Sequence, residues 1–256
     1  MKSTLTFKSK AQAKRETGIS YIGNVNHSTK HVKAYLYNEM VYTVYLSPAK
    51  SSGYEVCPMR TKSCTISCLH ESGMNTMNMN NNDINRSRIK KTKLFFTDRE
   101  FFVRWVVSEI NAKRLKTIKE GFRFSVRLNN TSDLSPESFY ITENGVAKNI
   151  LQMFPDVQFY DYTKIPKRME LMKKYKNYDV TFSYSGENMN DCITMLKNKV
   201  RVAMVFKTVP KTYMGYKVID GDTYDMRYLD KKNVIVGLKY KRVRNKLTID
   251  NPFVIQ

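Results

Sequence analysis

Three of the four cysteines lie close together in a polar segment of the sequence. Six residues separate Cys57 from Cys64, and three separate Cys64 from Cys68. Three thiolates can hold a 4Fe–4S cluster and leave one iron open for a substrate or a second cofactor. They can also hold a zinc ion whose fourth ligand is His70 or a carboxylate. Both alternatives make this segment the predicted metal site. Cys192 lies in an apolar helical pattern and is predicted to be a core residue.

Polar side chains follow the strands that the sequence predicts. In a parallel α/β sheet, sites form at the carboxyl ends of the strands, where residues distant in sequence can meet. The alternative is that polar residues follow strands because they begin loops. The predicted catalytic residues are Asp133, Asp161, Lys164, Glu187, Asp220 and Asp222, and the predicted cofactor-binding residues are Asn129, Ser132 and Ser185.

The aspartates allow a second kind of chemistry. Carboxylates brought together can bind Mg²⁺ for phosphoryl chemistry. They can also hydrogen-bond a ribose, or form structural ion pairs with Lys164 and Arg127. These alternatives apply to Asp133, Asp161, Asp220, Asp222 and Asp225.

The apolar pattern predicts the elements that position these residues. Runs of β-branched and aromatic residues at 41–46, 122–128, 157–160, 179–184 and 200–206 are typical of strands, and shorter runs lie at 218–219 and 234–238. Helical patterns separate most of these runs, which indicates βαβ units and a parallel sheet. Thr97 and Glu100 match a capping box at a helix start. Residues 74–85, rich in Asn and Met, are predicted to be a loop.

The expected fold is therefore α/β, either a parallel partial (β/α) barrel or an open parallel sheet. Residues 1–40 are expected to form an extended N-terminal segment packed on the domain. Residues 41–256 are expected to form a single domain in which the three-cysteine loop follows the first strand.

The chain is strongly basic, with 44 Lys and Arg against 23 Asp and Glu and a net charge of +21. This balance favours a polyanionic partner, nucleic acid first, although a solvated basic surface is the plainer alternative. A dense basic segment supplies the predicted nucleic-acid-binding residues, Arg86, Arg88, Lys90 and Lys91. A second basic group near the end of the chain comprises Lys239, Lys241, Arg242, Arg244 and Lys246.

The sequence contains no apolar run of membrane-spanning length, and its first residues lack the apolar stretch of a secretion signal. A cytoplasmic location with no membrane partner is therefore expected, and there clustered cysteines more often bind metals than form disulfides. His27 and His31, four residues apart, are expected to be a surface pair.

Several ordered motifs resemble the phage "gene product 88" domain family. They begin with Tyr45-Leu46-Ser47-Pro48-Ala49, Val56-Cys57-Pro58 and Cys64-Thr65-Ile66-Ser67-Cys68-Leu69. They continue with residues 127–133, Phe159-Tyr160-Asp161-Tyr162-Thr163-Lys164, and Val218-Ile219-Asp220-Gly221-Asp222 with Asp225 and Arg227. The likeness runs from about Gly18 to the end, with Asn130 where a glycine is expected. It implies a bacteriophage or prophage origin, and hence the host cytoplasm, without implying a particular reaction.

The cysteine loop also resembles, more weakly, that of radical S-adenosylmethionine enzymes. These are partial barrels in which three cysteines after the first strand hold a 4Fe–4S cluster. The position matches here, but the spacing differs from the usual three and two intervening residues. Residues 129–133 also occupy the place where that class has a Gly-Gly-Glu motif for the methionine amino group.

Taken together, the residues and the resemblances lead to one main expectation. The protein is expected to be an iron–sulfur enzyme of this type, with S-adenosylmethionine as a further cofactor, acting on nucleic acid or a nucleotide. The alternatives are a non-catalytic nucleic-acid-binding protein with a structural zinc, and a metal-dependent nuclease that uses the aspartates. Neither the substrate nor the oligomeric state follows from the sequence.

Overall fold

The computed structural model describes residues 6–25, 28–68, 83–241 and 251–256. His70, Arg242, Arg244 and Lys246, together with His27 and residues 74–82 of the predicted loop, lie outside the described residues.

The described chain is a mostly parallel α/β sheet with helices packed against it. The helices are α1 (Lys10–Thr17), α2 (Thr29–Val32), α3 (Lys62–Ile66), α4 (Asp83–Thr97), α5 (Arg99–Lys119), α6 (Ile150–Met153), α7 (Met169–Lys174) and α8 (Met189–Lys197). The strands are β1 (Gly23–Val25), β2 (Glu39–Val44), β3 (Arg123–Arg127), β4 (Tyr140–Glu143), β5 (Val146–Asn149), β6 (Gln158–Thr163), β7 (Tyr178–Ser183), β8 (Val202–Phe206), β9 (Thr212–Tyr213), β10 (Tyr216–Asp220), β11 (Ile235–Lys239) and β12 (Val254–Ile255).

The large sheet has ten strands and follows the order β1-β2-β3-β6-β7-β8-β11-β10-β9, with β12 paired to β8. Strands β2, β3, β6, β7, β8, β11 and β10 are parallel neighbours, whereas β1 and β9 add antiparallel strands at the two ends. Strands β4 and β5 form a separate hairpin. The α/β class and the open, mostly parallel sheet predicted from the sequence are thus confirmed.

Helix α5 packs against one face of the sheet. Tyr42 and Val44 of β2 share a buried core with Phe102 and Trp105 of α5. Alternate residues of β3 and β6 join the same core. Cys192 of α8 is fully buried in the neighbouring core cluster, which confirms that it is a core residue.

The opposite face of the sheet is covered by two parts of the chain. One follows α2 and the other follows β10 in the sequence. Ala34, Val41, Tyr160 and Met226 form a small core there, with Tyr224 and Tyr228 packed against it. Because side chains alternate along a strand, residues such as Arg127 and Tyr162 point to this face. We call it the inner face.

Two local predictions need correction. The helix cap is Asp98, whose carboxylate accepts a hydrogen bond from the Phe101 amide at 3.2 Å; the Thr97 hydroxyl donates backwards to the Lys93 carbonyl at 3.0 Å. Thr97 ends α4, so it cannot begin α5. The loop predicted over 74–85 also extends too far, because Asp83 already begins α4.

Among the described residues, no helix combines the length and the apolar character that a membrane crossing requires.

Candidate metal centre

The loop with the first cysteine leaves β2 and is fixed at several points. The Ser47 amide donates to the Thr92 hydroxyl of α4 at 2.8 Å. The Asp133 amide, in the loop after β3, donates to the Val56 carbonyl at 2.7 Å. The Cys57 amide donates to the Glu55 carboxylate at 2.9 Å, and the Cys57 thiol lies 3.9 Å from the Thr131 carbonyl. Cys57 is therefore held above the carboxyl ends of β2 and β3.

The other two cysteines lie in α3 and directly after it. Thr61 caps this helix by accepting from the Cys64 amide at 3.0 Å, and its hydroxyl donates to the Ser185 carbonyl after β7 at 2.5 Å. Asn251 donates to the Ser63 carbonyl at 3.1 Å and to the Ser67 hydroxyl at 2.7 Å. These contacts hold Cys64 and Cys68 over the same edge of the sheet as Cys57.

Gly186 allows α3 to approach the sheet this closely. Its φ of +96° belongs to the region that favours glycine, and an added Cβ would lie 2.5 Å from the Ser63 hydroxyl and 3.0 Å from the Phe253 amide nitrogen.

Lys164, the residue after β6, brings the three cysteines into one electrostatic environment. Burial alone would lower the pKa of its ammonium group, but the charges of Cys64, Asp133, Cys57 and Cys68 outweigh burial and raise the pKa. The ammonium therefore stays charged and can offset the negative charge that the cysteines carry as thiolates.

The thiols are half-buried and none forms a disulfide. Burial raises the pKa of Cys57 to about 12, even though Lys164 acts in the opposite direction. Without a metal this group is therefore a neutral thiol at pH 7, and a bound metal would have to displace its proton.

The donor set suits a soft metal, but it is not already arranged as a coordination site. Within the described parts of the chain, no three Cys, His, Asp or Glu side chains are placed to hold a metal ion. Asp133, the nearby carboxylate, accepts from the Thr163 hydroxyl at 2.7 Å and from the Lys164 amide at 2.8 Å. Arg168 also pairs with Asp133 at 3.4 Å.

Asn129, Ser132 and Asp161, predicted to act in cofactor binding and catalysis, join two strand ends. The Asp161 carboxylate accepts from the Asn129 amide at 2.9 Å and from its side-chain nitrogen at 3.0 Å. The Ser132 hydroxyl donates to the Asn129 side-chain oxygen at 2.8 Å. Burial raises the pKa of Asp161 to about 6, although the hydrogen bonds from Asn129 and the charge of Arg127 oppose the rise. These bonds fix the loop after β3 on which Asp133 lies.

The other predicted site residues are spread along the same edge. Ser185 supports α3 through its carbonyl, and Glu187, two residues later, is exposed. Asp220 ends β10 and Asp222 follows it, and three strands separate β10 from β6. Asp222 pairs with Lys30 at 3.4 Å. Among the described residues, no hydrogen bond or ion pair joins Asp220 or Asp222 to Asp133 or Asp161, and the roles proposed for them stay predictions.

A second group of charges lies on the inner face near this edge. We call it the inner charge cluster, and it comprises Lys30, His31, Arg127, Tyr162 and Asp225. Asp225 pairs with Arg127, lies 3.2 Å from the His31 Nε2 atom and accepts from the Tyr162 hydroxyl at 3.3 Å. Burial alone would raise the pKa of Asp225, but Arg127, His31 and Lys30 hold it well below its usual range.

The expectation that His31 lies on the surface is wrong. Its side chain is 1% exposed because α2 packs it against Asp225 on the inner face. Its Nδ1 atom has no hydrogen-bond partner among the described residues, and neither has the buried hydroxyl of Tyr160. A signal was present in the sequence: Arg127, Tyr162 and Asp225 all lie in the motifs that carry the family resemblance.

Tyr45 and Arg88 lie between the inner charge cluster and the cysteines in their electrostatics. Burial raises the pKa of the Tyr45 hydroxyl, and the charges of Arg127, Asp225 and Arg88 contribute to it. Burial lowers the pKa of Arg88, and the charge of Cys68 opposes this decrease. The carboxyl edge of the sheet therefore carries both the thiols and a buried set of acidic, basic and phenolic groups.

The four residues predicted to bind nucleic acid belong to α4 but differ in exposure. Arg86 and Lys90 are exposed, whereas Arg88 and Lys91 are 7% and 5% exposed and face a cavity.

The fold and the site define a mostly parallel α/β protein with a cysteine-bearing loop over the carboxyl edge of its sheet. The sequence pattern of the Gene product 88 family matches residues 6–251, and the chain belongs to this family. No curated protein and no solved structure gives a significant match to the sequence.

Proposed function

We propose that this protein is an enzyme whose Cys57, Cys64 and Cys68 hold an iron–sulfur cluster at the carboxyl edge of the sheet. The observation that carries the proposal is that the segments bearing these three free cysteines are hydrogen-bonded to the loops after β3 and β7, through Val56 and Thr61. The charge of Lys164 opposes the burial that keeps Cys57 protonated, and so favours the thiolate form in which cysteine binds a metal.

Within the described residues the candidate ligands are three free cysteines, and three ligands favour a cluster over a structural zinc ion. A structural zinc ion needs four ligands, whereas a 4Fe–4S cluster with three thiolates keeps one iron open for a substrate or a second cofactor. The nearby carboxylate, Asp133, is engaged by Thr163, Lys164 and Arg168. Since no ligand group is preformed among the described residues, binding would draw the half-buried sulfurs together and couple to local ordering of the loop.

The inner charge cluster supports an enzymatic role. Buried ionisable groups are costly, and they concentrate at sites where protons or charged substrates are handled. His31 has a free Nδ1 atom for proton transfer within the described structure. Arg127 and Lys30, paired with Asp225 and Asp222, are the cations of this region that an anionic substrate such as a nucleotide or nucleic acid would approach. S-adenosylmethionine as the second cofactor stays a prediction.

The test is anaerobic reconstitution with iron and sulfide, followed by assays of iron, acid-labile sulfide and zinc. The wild-type protein should be brown with absorbance near ~400 nm. Each of Cys57→Ala, Cys64→Ala and Cys68→Ala should lose most of this absorbance, whereas the core variant Cys192→Ala should keep it. Folded, colourless protein without iron would contradict the proposal, and stoichiometric zinc instead of iron would favour a structural zinc site.

A further inference from the structure

A cavity of about 260 Å³ lies between β1, β2 and the first turns of α4. Its walls include Tyr21, Thr43, Tyr45, Arg88 and Lys91. This volume is below the usual range for drug-sized ligands and suits a smaller molecule.

The buried side chain of Lys91 is the first indication that the cavity binds an anion. Its side chain is 5% exposed, and its ammonium lies 4.2 Å from the centre of the Tyr21 ring. No hydrogen bond or ion pair joins this ammonium to another of the described residues. Burial lowers the pKa of Lys91 to about 8, with Glu109 acting against the decrease and Arg88 adding to it. A buried ammonium without a close partner is costly, and an anion in the cavity would remove that cost.

The acidic groups nearby are already engaged. The Glu109 carboxylate accepts from the amides of Ile22 and Gly23 at 3.1 and 2.9 Å, and from the Tyr42 hydroxyl at 2.7 Å. Asp83, at the cavity rim, is exposed and pairs with Arg86 at 3.4 Å. Among the described residues, neither Glu109 nor Asp83 forms an ion pair with the Lys91 ammonium.

The buried hydroxyl of Thr43 is a second, independent indication of anion binding. Its side chain is fully buried on β2 and lines the cavity, and its hydroxyl has no hydrogen-bond partner among the described residues. A buried hydroxyl normally finds a partner, and an oxyanion would be an acceptor for it.

We propose that this cavity binds the oxyanion of a small molecule, a phosphate or a carboxylate, through Arg88, Lys91 and the Thr43 hydroxyl. The guanidinium group of Arg88 lies over the Tyr45 ring, 5.2 Å from its centre, so both cations are backed by aromatic faces. None of the three cysteines lines the cavity, so the proposal does not depend on a bound metal.

The test is calorimetric titration of the whole protein with inorganic phosphate and, separately, with acetate, with ionic strength held constant by chloride. One of the two should bind with a stoichiometry of one, and the tighter ligand identifies the oxyanion. Lys91→Gln should weaken binding at least about tenfold, the usual effect of losing a charge-assisted hydrogen bond. Thr43→Val should weaken it several-fold while keeping the shape of the side chain.

Lys93→Gln is the matched control, because it removes a lysine from the exposed face of the same helix. It should leave binding unchanged, as should Cys57→Ala, which separates this site from the metal site. The proposal is overturned if neither anion binds, if Lys91→Gln and Thr43→Val bind like the wild type, or if Lys93→Gln weakens binding as much as Lys91→Gln.

Discussion

At the scale of single residues, Lys164 links the proposed metal ligands to the sheet. Its amide donates to Asp133 while its ammonium interacts with the three thiols. One residue thus connects the loop after β3, the end of β6 and the cysteine loop. A sequence pattern can place a lysine after a strand, but it cannot show which charges will surround the ammonium.

Replacing Lys164 tests this arrangement. Lys164→Met should reduce cluster or metal affinity by about tenfold to a hundredfold, the range found when groups that support metal ligands are removed. Competition with a chelator measures the affinity. Lys167→Met, which removes an exposed lysine three residues later, is the control and should bind like the wild type. Equal affinities of the Lys164 and Lys167 variants would show that the ammonium does not support the ligands.

At the scale of elements, the strand ends are fastened to one another by Asp161. Because burial raises its pKa to about 6 in the folded protein, above about 3.9 in the unfolded chain, the folded state binds the proton more tightly. The resulting stabilisation is complete below pH ~4 and is lost as the pH rises through about 6.

Asp161→Asn carries no titrating group and should not show this loss. Between about pH 4 and pH 7, the wild type should therefore lose about 2 to 3 kcal/mol of unfolding free energy relative to this variant. Urea unfolding at both pH values measures the shift. A constant difference would mean that Asp161 keeps an ordinary pKa.

The approach of α3 to the strand ends depends on Gly186. Gly186→Ala should lower the free energy of unfolding by about 3 kcal/mol, because the new Cβ adds a clash to the backbone strain. Gly215→Ala is the matched control. It has a similar φ of +79° and open space around the added Cβ, so it should cost only about 1 to 2 kcal/mol. Denaturant unfolding compares the two, and equal losses would argue against a close contact between α3 and this loop.

The elements also show how far the sequence could predict the fold. Strands such as β3 and β7 were predictable to within a residue or two, because dense β-branched and aromatic runs leave few alternatives. Helix α4 was missed, since its basic residues hide the apolar contacts of Leu94 and Phe95. The burial of His31 was missed because its partner, Asp225, lies 194 residues away in the chain.

At the scale of the whole molecule, the net charge of +21 remains the reason to expect an anionic partner. If nucleic acid is that partner, the logarithm of its affinity should fall with the logarithm of the salt concentration by about 0.7 to 0.9 per phosphate contact. Arg86→Gln combined with Lys90→Gln should reduce this slope, because both side chains are exposed. Lys91→Gln should not reduce it, because Lys91 is buried.

Filter binding across a salt series measures both slopes. No binding of single- or double-stranded DNA or RNA at ~50 mM salt would count against a nucleic-acid partner. An equal loss of slope in the buried and exposed variants would show that the basic face of α4 is not the contact surface.

The central claim is that Cys57, Cys64 and Cys68 hold one metal centre at the carboxyl edge of the sheet. The most direct measurement is X-ray diffraction from anaerobically reconstituted crystals, with anomalous differences collected on both sides of the iron absorption edge. Iron peaks are expected within bonding distance of all three sulfurs, about 2.3 Å, with the Lys164 ammonium beside them. Crystals without iron at these sulfurs, or with iron bound elsewhere on the chain, would contradict it.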